Sequence, residues 1–299
     1  MQELEPGIRR IVAPNPSPMT AAGTCTYVLG EGAVGIIDPG PADPAHIRAI
    51  LQGLNPGERV AEILVTHAHL DHSPGARLLA EATDAPVLAF GPPEAGRSAV
   101  MAELARKAPL GGGEGVDALF RPDACLADGA ETGAATWQVR ALHTPGHFGN
   151  HLSFAWGARI FSGDVVMGWS TTLISPPDGD LGDYFRSLRR LSSENPAVLF
   201  PGHGDPVPSP LARMSELAAH RHARSAQIRA ALADGPKDAA SLTAAIYQDL
   251  APALIPVAQR NVLAHLLEMV ANGEAQPTEA LAPHGRFALS HAVSRSAVL

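Results

Sequence analysis

Six consecutive residues, His67-Ala68-His69-Leu70-Asp71-His72, constrain this chain of 299 residues more than any other feature. They follow the apolar run Ile63-Leu64-Val65, which predicts a buried strand, so the polar side chains stand on a loop at a strand end. Neutral imidazole and carboxylate groups suit a borderline first-row cation. Four such side chains in six residues are too many for one tetrahedral ion that keeps an open position. The segment therefore predicts two adjacent metal ions.

Three later turns carry further candidate ligands, each directly after a predicted strand. Glycine and proline fix the backbone at such turns, as a preorganised ligand set requires. Each turn alone is ordinary, whereas their joint occurrence in this order predicts one shared site. The turns are Thr144-Pro145-Gly146-His147, Ser162-Gly163-Asp164 and Pro201-Gly202-His203-Gly204, after predicted strands at 137–142, 160–161 and 198–200.

Composition excludes several classes of protein. No stretch approaches the about 18–20 consecutive apolar residues of a membrane helix, so membrane attachment is not expected. The N-terminus lacks the apolar core of a secretory signal, so we expect a cytoplasmic protein. Two cysteines, Cys25 and Cys125, make neither a disulfide framework nor a cysteine zinc knuckle. The net charge of −8 argues against an extended basic surface that binds nucleic acid electrostatically.

The chain divides at a proline cluster, Pro206-Val207-Pro208-Ser209-Pro210, which predicts domains at 1–207 and 208–299. The first part carries a net charge of −9, with 14 basic and 23 acidic residues, and the second carries +1, with 8 and 7. Short apolar runs alternate with helical patterns in the first part, which predicts an α/β domain. The second part shows three helical patterns and two short strand-like pieces, the order of a winged helix. Ser241 is the expected N-cap of its second helix.

These motifs resemble those of the metallo-β-lactamase fold superfamily across residues 20–207. Asp38, in Ile36-Ile37-Asp38-Pro39-Gly40, matches that superfamily's first motif, an aspartate that supports the metal ligands. The resemblance implies an α/β fold, an αββα sandwich with the site at one edge, followed by a mostly helical winged-helix domain. It makes Asp71 and Asp164 the catalytic candidates. It also implies that His67, His69 and His147 bind one metal ion, that Asp71, His72 and His203 bind the other, and that Asp164 bridges both.

The chemistry of such a pair of cations is hydrolysis. Two ions about 3.5–4 Å apart lower the pKa of a bridging water, so that hydroxide is available at neutral pH. The second ion polarises a carbonyl or phosphoryl oxygen and holds the developing negative charge. Two Zn²⁺ ions are the expectation for a histidine-rich set of ligands, and iron and manganese stay open because such sets discriminate poorly between metals.

Four segments indicate a branch of the superfamily: Arg221-His222-Ala223-Arg224-Ser225-Ala226-Gln227-Ile228, Leu242-Thr243-Ala244-Ala245-Ile246-Tyr247, Asn261-Val262-Leu263-Ala264-His265-Leu266 and Gly168-Trp169-Ser170-Thr171-Thr172. They resemble the β-lactamase-like protein 2 group, which includes a metal-dependent endoribonuclease acting on single-stranded RNA. The leading substrate hypothesis is therefore a phosphodiester in single-stranded RNA, and a thioester or lactone, as in the glyoxalase II-like branch, is the alternative. One departure is Phe148-Gly149-Asn150, where the group usually has a small hydroxyl and acidic residues.

A winged helix also raises the hypothesis of a nucleic-acid-binding protein without catalysis, which the complete ligand set disfavours. The predicted helix 257–272 exposes Arg260, Asn261 and His265 but also Glu268, so it could neutralise few phosphates and stable DNA binding is not expected. All predicted ligands lie at or before His203. We therefore expect the C-terminal module to roof the active site or to form a homodimer contact, and not to supply ligands.

Overall fold

Seven strands form the first β-sheet, in a computed structural model that describes residues 1–107 and 115–290. Strands β1 to β4 pair antiparallel, and β4 to β7 pair parallel. Every residue of β3 is buried, because this strand lies inside the sheet and both of its faces are covered. In chain order, which is also their order in the sheet, the strands are β1 (Gln2–Glu5), β2 (Ile8–Val12), β3 (Cys25–Leu29), β4 (Ala33–Ile37), β5 (Arg59–Leu64), β6 (Val87–Ala89) and β7 (Ala124–Cys125).

The second sheet faces the first across an aromatic core. Its order in the described part of the chain is β12-β11-β10-β9-β8, and only β11 and β12 pair parallel. Tyr27 of the first sheet packs edge-on against Phe161 of the second, with ring centroids 5.1 Å apart. Trp137 fills the space over Gly35, where an added Cβ would lie 2.6 Å from the indole ring. The strands are β8 (Glu131–Ala134), β9 (Trp137–His143), β10 (Leu152–Trp156), β11 (Arg159–Gly163) and β12 (Val198–Pro201).

Helices cover the outer faces of both sheets, and this arrangement confirms the predicted αββα sandwich. The helices α1 (Pro44–Gln52) and α2 (Gly75–Thr83) bury Ile47, Ile50 and Leu79 against the first sheet. Helix α4 (Leu181–Ser193) buries Leu188 and Leu191 against the second sheet. Helix α3 (Ala99–Lys107) packs instead against the C-terminal helices described below. None of the helices in the described ranges is long and apolar enough to cross a membrane.

The C-terminal region has the predicted order of a winged helix. It contains α5 (Pro210–Leu232), α6 (Ala239–Ile246), a 3₁₀ turn (Pro252–Leu254), α7 (Ile255–Ala271) and the hairpin strands β13 (Ala275–Pro277) and β14 (Phe287–Leu289). The prediction that Ser241 caps α6 was wrong. Asp238 is the N-cap, because its carboxylate accepts the Ser241 N–H at 2.7 Å. Met101 and Leu104 of α3 join the core of these helices, and the boundary at 207/208 stays a prediction.

Five strands of the two sheets end at one edge of the sandwich, and the motif residues follow them. Asp38 follows β4 and the histidine-rich loop follows β5 in the first sheet. In the second sheet, His147, Asp164 and His203 follow β9, β11 and β12. Residues that are far apart in sequence thereby meet in the loops at this edge.

Candidate metal centre

Asp38 organises the histidine-rich loop. It leaves β4 in a left-handed backbone conformation, with φ of 49°. Its buried carboxylate accepts hydrogen bonds from the Thr66 N–H at 2.7 Å, the Thr66 hydroxyl at 2.7 Å and His72 Nδ1 at 2.9 Å. The Thr66 hydroxyl, which donates to Asp38, accepts from His67 Nδ1 at 2.9 Å. Because both imidazoles use Nδ1 for these bonds, their Nε2 atoms are left to face the other candidate ligands.

His67, His69 and His147 bring three ring nitrogens together, and all three side chains are buried. His69 Nδ1 lies 2.9 Å from His67 Nε2 and 3.1 Å from His147 Nε2. Ligand atoms on a tetrahedral ion with bonds of about 2.0–2.1 Å are about 3.3 Å apart, so these nitrogens fit one shared ion. The Leu173 carbonyl can only accept, so His147 donates to it from Nδ1, at 2.7 Å, and keeps Nε2 for the cluster. We call this set the first metal position.

Asp71, His72 and His203 form the second metal position, where His203 Nε2 lies 3.2 Å from both His72 Nε2 and Asp71 Oδ2. Asp164 lies between the two positions, because its Oδ2 is 3.3 Å from His203 Nε2 and 3.7 Å from His147 Nε2. Its Oδ1 is buried and accepts no hydrogen bond from the described residues. A buried carboxylate oxygen without a donor is costly unless a cation satisfies it, so this atom fits a metal centre.

The two positions differ in charge. Burial lowers the pKa of His69 to about 3, and burial with the neighbouring imidazoles holds the pKa of His67 well below its ordinary value. Burial also disfavours the charged form of His203, but the Asp164 carboxylate outweighs it and raises the pKa of His203 to about 10. Burial would raise the pKa of Asp71, yet His72 overcomes it and the pKa falls below the ordinary range. The first position therefore favours neutral imidazoles, whereas the carboxylates of the second favour protonated imidazoles until a cation replaces the protons.

The structure brings all seven predicted ligands together, and the role of each one stays a prediction. Sequence reasoning missed three supporting groups: the Thr66 side chain, the Leu173 carbonyl and Asn150. Asn150 is buried, accepts the Ala68 N–H at 3.2 Å and donates to the Gly91 carbonyl at 3.0 Å. Asn150 belongs to Phe148-Gly149-Asn150, the segment where the sequence departs from the pattern of the β-lactamase-like protein 2 group. That departure could have pointed to Asn150. A backbone carbonyl such as that of Leu173 has no signal in the sequence.

Two cavities open beside the cluster, and Trp169 lines both of them. The smaller, of about 40 Å³, reaches the side chains of His69, His147, Asp164 and His203. The larger has a volume of about 750 Å³ and lies between strand β2, the start of α5 and the turn after β12. Because Trp169 lines both cavities, it lies between the metal centre and a much larger space.

A buried His/Asp cluster at the edge of an αββα sandwich defines a metal-dependent hydrolase. Residues 20–203 match the Metallo-beta-lactamase superfamily, and residues 239–280 match the Beta-lactamase associated winged helix domain. The chain belongs to the metallo-β-lactamase superfamily and carries the winged helix associated with it, which confirms the resemblance seen in the motifs.

Individual relatives agree with this assignment over most of the chain. A Beta-lactamase-like protein 2 homolog from Drosophila melanogaster is 31% identical over 285 residues, which are 91% of this chain and 90% of that protein. An Atrochrysone carboxyl ACP thioesterase from Aspergillus fumigatus is 28% identical over 238 residues, 77% of this chain and 66% of the thioesterase. A crystal structure of a metallo-beta-lactamase family protein from Thermus thermophilus has a TM-score of 0.75 at 25% identity, covering 96% of this chain and 100% of that one.

Proposed function

We propose that this hydrolase uses two metal ions to cleave a thioester or ester whose acyl group is large and apolar. The observation that carries the proposal is the cavity of about 750 Å³ beside the metal centre. Cavities of roughly 300–1,000 Å³ suit small-molecule ligands. Its walls include Val12, Ala21, Pro206 and Ala212, which offer apolar contacts. An acyl group lying there would pass Trp169 and place its carbonyl at the metal centre.

The arginines at this cavity do not favour a phosphate backbone. Arg213 donates to the carbonyls of Met167 at 2.8 Å and Ser170 at 2.7 Å, and it pairs with Glu216 at 2.8 Å. Arg10 donates to the Gly204 carbonyl at 2.9 Å. Glu216 pairs with Arg213 and Asp205 pairs with Arg10, so these guanidinium groups present little free positive charge to a ligand. This supports an acyl substrate over a polyanion.

The protein side chains divide the work of hydrolysis among them. When bound, two divalent cations supply a water of lowered pKa and polarise the scissile carbonyl. Asp164, whose buried Oδ1 accepts no hydrogen bond in the described chain, would give its carboxylate to the cations and so place its negative charge between the two positions. Asp38 holds the His72 ring through Nδ1 and so keeps its Nε2 directed at the cluster. The ions would be held by His67, His69 and His147, by Asp71, His72 and His203, and by Asp164 between them.

A phosphodiester in single-stranded RNA is the second candidate substrate. The similarity to the Beta-lactamase-like protein 2 homolog runs through both the hydrolase region and the C-terminal helices, and this supports the leading hypothesis from the sequence. The thioesterase relative supports the acyl substrate instead. The two candidates differ in what the large cavity must hold, so one pair of variants separates them.

The test loads the purified protein with Zn²⁺, Fe²⁺ or Mn²⁺ and assays acetyl and bulky aromatic thioesters in parallel with labelled single-stranded RNA. Ala212→Trp fills the cavity, and Ala219→Trp is the matched control, because Ala219 is exposed on the same helix and does not line the cavity. We expect Ala212→Trp to lower kcat/KM for the bulky thioester about 10-fold and to leave the acetyl thioester unchanged. His67→Ala should abolish all turnover.

Two results would reject the acyl proposal. Rapid RNA cleavage that disappears in His67→Ala, with no thioester turnover, would establish the phosphodiester. Equal effects of Ala212→Trp on acetyl and bulky thioesters would remove the cavity from substrate binding.

A further inference from the structure

Arg221 is a buried arginine on the apolar face of α5. The buried residues Met214, Leu217 and Ile228 share its face of the helix, and Arg221 itself is 3% exposed. No carboxylate pairs with it in the described ranges. Its Nη1 donates to Asn261 Oδ1 at 3.1 Å, its Nη2 donates to a backbone carbonyl, and its guanidinium carbon lies 5.7 Å from the centre of the Tyr184 ring. Burying a guanidinium without a carboxylate partner costs free energy of folding unless such contacts compensate for it. The burial of Arg221 therefore indicates a specific role.

The segment 172–174 connects this arginine to the metal centre. The carbonyl before Leu173 accepts from Arg221 Nη2, and the N–H after Leu173 donates to Asn261 Oδ1 at 3.3 Å. Between these two anchors, the Leu173 carbonyl accepts from His147 Nδ1 at 2.7 Å. Helices α5 and α7 of the C-terminal region thus hold both flanks of the one carbonyl that orients His147.

The start of the same segment is attached to Asp164. The Thr172 hydroxyl donates to the Asp164 carbonyl at 2.8 Å and to the Val165 carbonyl at 2.9 Å. A second path leads from Arg221 through the Tyr184 ring to Gly146, where an added Cβ would lie 2.4 Å from the Tyr184 Cα. Gly146 directly precedes His147, so both paths end at the same ligand.

We propose that Arg221 and Asn261 are positioning residues for the first metal position. They hold segment 172–174 so that the Leu173 carbonyl keeps His147 Nε2 directed at His67 and His69. The inference rests on the proposed metal centre and is independent of the substrate. Mutation of a residue that hydrogen-bonds to a metal ligand typically lowers metal affinity 10- to 100-fold.

The second metal position should depend on this support much less. Its histidines donate from Nδ1 to other groups: His72 to Asp38 at 2.9 Å and His203 to the Gly23 carbonyl at 3.2 Å. The second position shares only Asp164 with segment 172–174, so loss of the α5 and α7 contacts should weaken the first binding constant much more than the second. A general loss of stability would weaken both equally.

The test titrates the metal-free, full-length protein with Co²⁺ and with Zn²⁺ against a chromophoric chelator, which yields two binding constants and a Co²⁺ absorption spectrum. His147→Ala and His203→Ala assign each constant to a position. We expect Arg221→Met and Asn261→Leu to weaken the first position about 10-fold or more and the second by a much smaller factor. Asn261→Asp keeps the acceptor oxygen and should restore wild-type affinity. Arg229→Met is the matched control, because Arg229 pairs with Glu274 on the exposed side of α5.

Other results would overturn the proposal. Wild-type constants in both Arg221→Met and Asn261→Leu would show that the segment needs no support from α5 and α7. Equal weakening of both positions, with a lowered melting temperature, would show a purely structural role. If Arg221→Met fails to fold, the Asn261→Leu and Asn261→Asp pair decides the outcome. A wild-type protein that binds no metal would instead reject the metal centre itself.

Discussion

The sheet edge and the C-terminal helices both bury ionisable side chains, but they compensate the charge in different ways. At the sheet edge, opposite charges meet, as where Asp164 Oδ2 lies 3.3 Å from His203 Nε2. Between α5 and α7, Arg221 and His265 are buried without a carboxylate partner in the described residues, and carbonyl, amide and hydroxyl groups receive them. The carboxylates at the sheet edge make that site suitable for binding cations. The region between α5 and α7 offers no carboxylate to a cation in the described residues, and its neutral hydrogen bonds instead hold the two helices and segment 172–174 together.

The largest effect should come from removing the carboxylate between the two metal positions. Asp164→Ala deletes the group that contacts His147 and His203, so both cations would lose a negative ligand. We expect a loss of metal content and at least an about 10²–10³-fold fall in kcat/KM. Elemental analysis and steady-state kinetics measure the two effects. One metal ion or none in an active wild-type protein would contradict the dinuclear centre.

Asp38→Asn should have a smaller effect, because Asp38 acts through the ligands. Its amide would present N–H donors where Thr66 Oγ1 and His72 Nδ1 now donate to a carboxylate oxygen. We expect metal affinity to fall about 10- to 100-fold, measured by competition with a chelator. Asp43→Asn is the matched control, since Asp43 caps α1 and asparagine caps helices equally well. Unchanged affinity in Asp38→Asn would show that the histidine loop holds itself in place.

The smallest effect should be a loss of folding stability at low pH, and it arises from His265 in the C-terminal helices. Burial, with the nearby Arg221 and Arg224 charges, lowers the pKa of His265 to about 3. In the unfolded chain this pKa is about 6.5, so the unfolded state takes up the proton more readily. The stability tied to His265 is therefore complete above pH 6.5 and is lost as the pH falls towards 3. We expect about 2 kcal/mol of this loss by pH 5.

Urea unfolding at pH 7.5, 6 and 5 tests this dependence in the wild type, His265→Gln and His284→Gln. The His265→Gln protein should lose less stability on acidification than the wild type, because it lacks the group that takes up a proton on unfolding. His284 is exposed on the same region and its variant should follow the wild type. Parallel pH curves for all three proteins would show that His265 titrates as it does in the unfolded chain.

Local patterns were enough to predict the central strands and the motif turns. The runs at β5, β9, β11 and β12 are apolar because these strands are buried, and glycine or proline marks the turns beyond the last three. The patterns missed β1, β2, β7 and β8, which are short or partly exposed. Such strands lack a strong alternation of apolar residues, and they form because they pair with a neighbouring strand. Arg221 was visible as a charge on the apolar face of a helix, yet nothing nearby in sequence showed its partner.

The sequence by itself determined the order of the elements and the seven side chains that meet at the sheet edge. Each of those side chains stands in a turn whose shape depends on its immediate neighbours, so the information is local. Only the tertiary structure decided how the ligands are held. His147 bonds to a carbonyl 26 residues away, and Arg221 reaches one 49 residues away. A backbone carbonyl is the same in every residue type, so its place is set by the packing of the helices against the sheets and leaves no mark in the sequence.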